Sequence, residues 1–176
     1  GELMKYKGSG GLEFLRQHPI ISFSDVYRDN EYKIFSVFIT NVNTAYGDIF
    51  YYNSYIDMPE ESQFNEFVNE VKTRSYYDSN VDVRFGDQLL TLSTCSYEFG
   101  PVNNTDTRTV VVARRIRPGE KNDGSDISYQ INPDYKLPEG FRKKNTPAST
   151  VPSQAVPSAR NSRDTSTQLE RSWAES

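Results

Sequence analysis

Two apolar runs separated by a polar loop constrain this chain more than any other feature. Leu89-Leu90-Thr91-Leu92-Ser93-Thr94-Cys95 reads as a strand that ends on the only cysteine in the sequence. Thr109-Val110-Val111-Val112-Ala113 reads as a second strand, led in by Arg108. If the two pair antiparallel, the end of the first lies beside the start of the second. Facing Cα atoms are then about 4.5–5.5 Å apart, and Cys95 and Arg108 become neighbours. A thiol needs a positive neighbour or a depressed pKa to act as a nucleophile, and a guanidinium can also hold the oxyanion formed when that thiol attacks a carbonyl.

A single cysteine excludes an intrachain disulfide and any multi-cysteine metal site, which leaves a buried core thiol or a reactive one. The 176 residues suffice for one domain with a sizeable core. The formal charge is −4, and from Phe141 onward six basic residues stand against three acidic ones, which leaves about −7 on the rest. An acidic body argues against nucleic-acid binding, which needs a clustered basic footprint. No apolar run approaches the ~18 residues that span a bilayer. The chain opens on Gly1 rather than a methionine and reads as a fragment.

In chain order, Glu2–Gln17 is broken by Gly8-Ser9-Gly10-Gly11 and predicts two short helical turns, followed by a strand at Ile20–Phe23 and a turn over 25–30. Glu31–Thr40 has apolar groups on both alternating sets, Tyr32, Ile34, Ser36, Phe38 and Lys33, Phe35, Val37, Ile39, as a central strand buried on both faces would. The spacing of Phe64, Phe67, Val68 and Val71 predicts a helix, with Pro59 in its first turn and Asp57 as cap. Ser75–Asn80 reads as a connection, Val81–Phe85 as a strand, and Gly86-Asp87 as a tight turn. Ser96–Thr107 is then a long hairpin loop, and Ile127–Tyr135 a short extended piece. From Lys144 the chain is rich in Ser, Thr, Pro and Ala and is expected to be disordered.

The segment Thr91–Cys95, followed by Arg108 opening a Val-rich strand that closes on Ala113-Arg114-Arg115, resembles the active-site hairpin of sortases, most closely class B. Tyr32–Val37 and Ser75–Asp78 extend the resemblance, which covers roughly residues 1–117. It implies a mainly β fold with added helices, a sortase-type β-barrel incomplete at its N-terminus. The domain is expected over 1–136 and a Ser/Thr/Pro-rich tail over 137–176. Class B sortases end soon after the Arg108 strand, so the tail departs from their pattern.

The resemblance implies a cysteine transpeptidase at the outer face of the cell membrane. Cys95 would attack a sorting signal of the type Asn-Pro-x-Thr near the C-terminus of a secreted protein, and a peptidoglycan amine would resolve the thioester. Arg108 would stabilise the oxyanion. Ser93, Thr94, Tyr51, Tyr52, Tyr55 and Ile56 are the candidates for the sorting-signal groove, with no cofactor. For the tyrosines and Ile56, core or rim packing is an equally open reading. The family also uses a histidine as general acid. His18, before Pro19 at a strand entry, matches a non-catalytic position. The family's Gly-His-Asn-like motif and signal-anchor fall before Gly1, so this chain alone is expected to be inactive. Two rivals remain: a binding module that keeps the groove without the histidine, and a structural hairpin whose cysteine is merely buried.

Overall fold

Thr107–Arg115 (β5) is the strand on which the sheet is assembled, and its run of four consecutive residues Val110–Ala113 is fully buried. A computed structural model describes residues 1–24, 26, 29–97 and 106–140. Ile20–Ser22 (β1), Glu31–Asn41 (β2), Leu89–Ser96 (β4) and β5 form an antiparallel sheet in the order β1-β2-β5-β4. Tyr77–Ser79 (β3) pairs with Tyr129–Ile131 (β6) in a separate two-stranded ribbon. The helices are Gly11–Gln17 (α1) and Glu61–Arg74 (α2), with a 3₁₀ turn over Glu2–Tyr6. The fold is mainly β with added helices, and the two turns expected before Pro19 are present.

Side chains of the sheet alternate between two clusters. On one face Val110 and Val112 of β5 meet Phe64, Phe67, Val68 and Val71 of α2. On the other, Val111 and Ala113 meet Tyr6, Leu15, Tyr77 and Tyr129. The helical stripe read from the sequence is therefore core. Its start differs from expectation: α2 begins at Glu61, and the cap residue is Glu60 with an extended backbone and no side-chain cap bond. Asp57 instead lines a surface cleft.

Strict alternation along β2 fails at one place. A β-bulge between Ile34 and Ser36 turns Phe35 to the same side as Phe38, against α2, while Ile34 and Val37 share the opposite face. A bulge leaves ladder groups without strand partners. Beside it, two serines tie β2 to α2 and to the segment that follows the helix. The Ser75 hydroxyl accepts from Val37 N–H at 3.1 Å, and Ser36 donates to the Val71 carbonyl at 2.6 Å.

Val81–Phe85 is not a strand. Val81 is buried and Val83 packs beside it, as the pattern demands, but no neighbouring strand offers a ladder to this backbone. Pairing occurs earlier, in β3, where a connection was expected. Of the loop expected over Ser96–Thr107, the end residues belong to β4 and β5 and residues 98–105 lie outside the described residues, as does the expected 137–176 tail from 141 onward.

At the end of the sheet remote from Cys95, two cations are buried. Lys33 and Arg114 face each other across the β2–β5 ladder with side chains 3% and 2% exposed. Lys33 donates to Asp126 at 2.6 Å, and Arg114 grips Glu120 with both terminal nitrogens at 2.6 and 3.1 Å. The Arg114 hydrogen bonds hold the Glu120 carboxyl below its usual range, and Lys33 does the same for Asp126. A carboxylate with a lowered folded pKa adds stability above its unfolded pKa and loses it as pH falls through the folded value. Unfolding by denaturant is therefore expected to show stability falling as pH is lowered below the usual carboxylate range. Glu120→Gln leaves the buried Arg114 without its carboxylate partner and Lys33 with Asp126 alone, and is expected to cost about 3–5 kcal/mol at pH 7. In the same titration that variant loses part of the acid dependence.

Candidate active site

The β4–β5 register pairs Cys95 with Arg108 directly, and β5–β2 pairing continues the row to Thr40. Cys95 is exposed and Arg108 half-buried. The ladder has no register shift between Leu89 and Ser96, so Leu89, Thr91, Ser93 and Cys95 share the face that carries α2. Thr94 falls on the opposite face, across from Thr109, whose hydroxyl lies 3.4 Å from the Met4 sulfur. Of the two residues before the cysteine, only Ser93 faces the site. The period of two decides this against Thr94.

The next rung of the ladder is locked. Ser96 donates to the Thr107 hydroxyl at 2.8 Å, and Thr107 donates to the Ser96 carbonyl at 2.8 Å, both side chains being fully buried. Arg108 donates through Nη1 to the Thr107 carbonyl, also at 2.8 Å. This hydroxyl clasp fixes the hairpin one residue beyond Cys95 and Arg108. Sequence reasoning assigned Ser96 no role. The available signal was the matched hydroxyls, one just after the cysteine and one just before the arginine.

The aromatic segment expected to border the groove comes down on this face. Tyr52, in a 3₁₀ turn over Tyr52–Ser54, hydrogen-bonds the Ser93 hydroxyl at 2.8 Å. Tyr51 and Tyr52 line a hollow of about 320 Å³ together with Arg108 and Asn41. Tyr55 and Ile56 line a larger cleft of about 620 Å³ with Thr91, Leu89, Phe64 and Phe85. Tyr55 also packs on Phe67 with ring centroids 5.0 Å apart, so it serves core and rim together. Ile56 is 83% exposed. Thr91 and Leu89 lie four and six residues along β4 from Cys95, about 13 and 20 Å away by strand rise. The face is thus a track that runs from the thiol to the cleft.

His18 is not part of it. The residue is exposed at the C-terminal end of α1, its ring against Phe14 at 4.4 Å. It precedes β1, the opposite edge of the sheet, whose Ile20 pairs with Lys33, which pairs with Arg114, which pairs with Leu89. That places it about 14 Å across the sheet and about 20 Å along it from Cys95. Among the described residues, no group of three or more His, Cys, Asp or Glu side chains is arranged to hold a metal ion. No helix is long and apolar enough to cross a membrane, again among the described residues.

An exposed thiol at a strand end should be alkylated in the native state. Iodoacetamide under native conditions is expected to modify Cys95 at a rate within about tenfold of its rate in urea, whereas protection until unfolding would indicate a core thiol.

No family model matches this chain. Sortase B of Listeria monocytogenes is 36% identical over 86 residues, which are 49% of this chain and 32% of that protein. Sortase B of Staphylococcus aureus is 30% identical over 104 residues, 59% of this chain and 38% of that protein. The chain therefore spans about a third of the length of these relatives. Among solved structures, a Staphylococcus aureus sortase B–substrate complex superposes with a TM-score of 0.50 at 28% identity, covering 66% of this chain and 48% of that one. Clostridium perfringens sortase B gives 0.51 at 20% identity, covering 66% and 57%, a likeness of fold. Over the matched part the chain is similar to these sortase B proteins.

Proposed function

We propose that this homologue of class B sortases carries the acyl-transfer half of a sortase active site, with Cys95 as nucleophile and Arg108 as the cation of the oxyanion site. The observation that supports it best is the Cys95–Arg108 cross-strand pair, exposed on one face and braced by the Ser96–Thr107 clasp. The Cys95 thiolate attacks the carbonyl carbon of the threonine in an Asn-Pro-x-Thr-like signal, and a C–S bond forms as the carbonyl electrons move to oxygen. Arg108 N–H groups hold that oxyanion. Its collapse breaks the C–N bond, and the departing amine takes a proton. An incoming peptidoglycan amine then attacks the thioester, forms the new amide and returns the thiolate. Ser93, held by Tyr52, and the Tyr55–Ile56 rim border the path of the signal peptide from Cys95 towards the larger cleft. The place of action is the outer surface of the cell membrane.

His18 is too remote to protonate the leaving amine. That one observation favours a second reading, in which the face binds a sorting signal without cleaving it. The two readings separate on a substrate whose leaving group needs no proton. A peptide thioester ending in Asn-Pro-x-Thr, its acyl carbonyl being that of the threonine, transfers its acyl group to a competent thiol with release of a free thiolate. Intact-mass measurement is expected to show one acyl adduct on the native chain and none on Cys95→Ala. Loss of one oxyanion donor typically costs about 10²–10³ in rate, so Arg108→Ala should slow acylation by that order. Peptide binding without any adduct would instead establish the binding module.

A further inference from the structure

The cleft of about 620 Å³ has two unlike walls. One is regular structure: Phe64 and Phe67 of α2 with Leu89 and Thr91 of β4. The other is the 85–88 loop, Phe85, Gly86, Asp87 and Gln88. The backbone of 81–87 belongs to no strand ladder and is tied by a turn bond from Asp87 N–H to the Arg84 carbonyl at 3.0 Å. Gly86 supplies the left-handed backbone of that turn at φ +93°, which a side chain would strain. Val81 and Val83 anchor the start of the segment in the core, but Phe85 is 44% exposed and touches Phe64 edge-on at 5.9 Å. Apolar packing therefore holds this wall only at its margin.

One side chain spans the gap. Arg117, two residues past β5, donates through Nε and Nη2 to the two carboxylate oxygens of Asp87 at 2.8 and 2.7 Å. Its Nη1 reaches the Asp82 carboxylate at 3.0 Å, and Nη2 also reaches the Asp82 backbone carbonyl at 3.3 Å. Asp87 in turn accepts the Arg84 N–H at 2.7 Å, which closes the turn from inside. The Asp87 side chain is 10% exposed, so this pair is shielded from solvent far better than a surface ion pair. Burial pushes the Asp87 carboxyl up, and the Arg117 and Arg84 N–H bonds outweigh it and hold the carboxyl below its usual value.

We propose that Arg117 is the positioning residue of the substrate cleft: its guanidinium, laid across Asp82 and Asp87, fixes the Phe85–Gln88 wall against the β4 track. The inference rests on reading that track as the path of the sorting signal. A planar fork with donors on three nitrogens satisfies both aspartates at once, which a lysine ammonium on a single flexible stem does not. Without the fork the loop keeps its valine anchors and its sequence, but Asp87 is left as a nearly buried carboxylate beside the cleft with no cation and the Arg84 N–H as its remaining partner. Arg117 touches no reacting atom, so its effect falls on binding and not on chemistry.

Hydrogen exchange and the peptide thioester reaction test this on Arg117→Gln and Arg117→Lys, with Lys72→Gln on the exposed side of α2 as control. In Arg117→Gln the amides of 84–88 are expected to exchange about tenfold or more faster, those of β4 and β5 remaining as in the native chain. The peptide concentration for half-maximal acylation should rise about tenfold at an unchanged maximal rate, with partial recovery in Arg117→Lys. Unchanged exchange in the loop overturns the proposal, and so does acceleration spread over the whole sheet, which marks a general stabiliser. A fall in maximal rate at constant half-saturation overturns it as well. If the native chain itself accepts no acyl group, the acyl-transfer reading fails; loop-confined exchange then still supports Arg117 as the residue that holds the wall, and unchanged exchange still sinks it.

Discussion

The β4–β5 register is the constraint on which the candidate site depends. Cys95 sits opposite Arg108, Thr94 opposite Thr109, and the ladder runs without a shift to Leu89 opposite Arg114. A slip of one residue would send Cys95 to the face of Tyr6 and Tyr77 and leave Arg108 on the face of α2. Two devices at the ends of the ladder hold the register. At the site end, Ser96 and Thr107 exchange hydrogen bonds in full burial. At the far end, Arg114 is clamped by Glu120 and faced by the buried Lys33. Between them Val110–Ala113 are wholly buried, so the strand that carries Arg108 is fixed by core on both sides.

The bulge in β2 gives that core its asymmetry. By moving Phe35 to the side of Phe38, it supplies two rings on the α2 face instead of one. Phe50, Tyr55 and Phe67 stack onto that base, with centroids 5.0 to 6.4 Å apart. The segment Phe50–Ile56 is thereby held against the helix, which brings Tyr52 to Ser93 and Tyr55 to the cleft. The aromatic border of the site thus follows from a backbone irregularity two strands away. Ser36 and Ser75, which tie β2 to the end of α2 and the segment after it, belong to the support of the site although neither approaches it.

Charge is divided by position. The row of Cys95 and Arg108 lies at one end of the sheet, and the ion pairs of Lys33, Arg114, Glu120 and Asp126 gather at the other. Arg117 stands at that second end and reaches the turn before β4, so the far boundary of the cleft is set by ionic contacts and the near boundary by the hydroxyl clasp. The buried hydroxyls satisfy each other without charge, whereas the buried Lys33 and Arg114 reach carboxylates, Asp126 and Glu120, that keep partial contact with water.

The sequence by itself determined the strand pair, the apolar stripe of α2, the breaks at Gly8–Gly11 and Gly86, and the placing of Cys95 beside Arg108. Each of these is local or follows from the pairing of two neighbouring runs, so period and turn chemistry suffice to read them. The tertiary structure decided the rest. Val81–Phe85 carries a strand pattern, yet a strand exists only where another backbone offers its ladder, and none does there. Phe35 changes sides because of a bulge that no alternation rule contains. The distance between His18 and Cys95, and the reach of Arg117 to Asp82 and Asp87, depend on which strands become neighbours. That choice is made by the packing of residues far apart in the chain, and no stretch of sequence holds it alone.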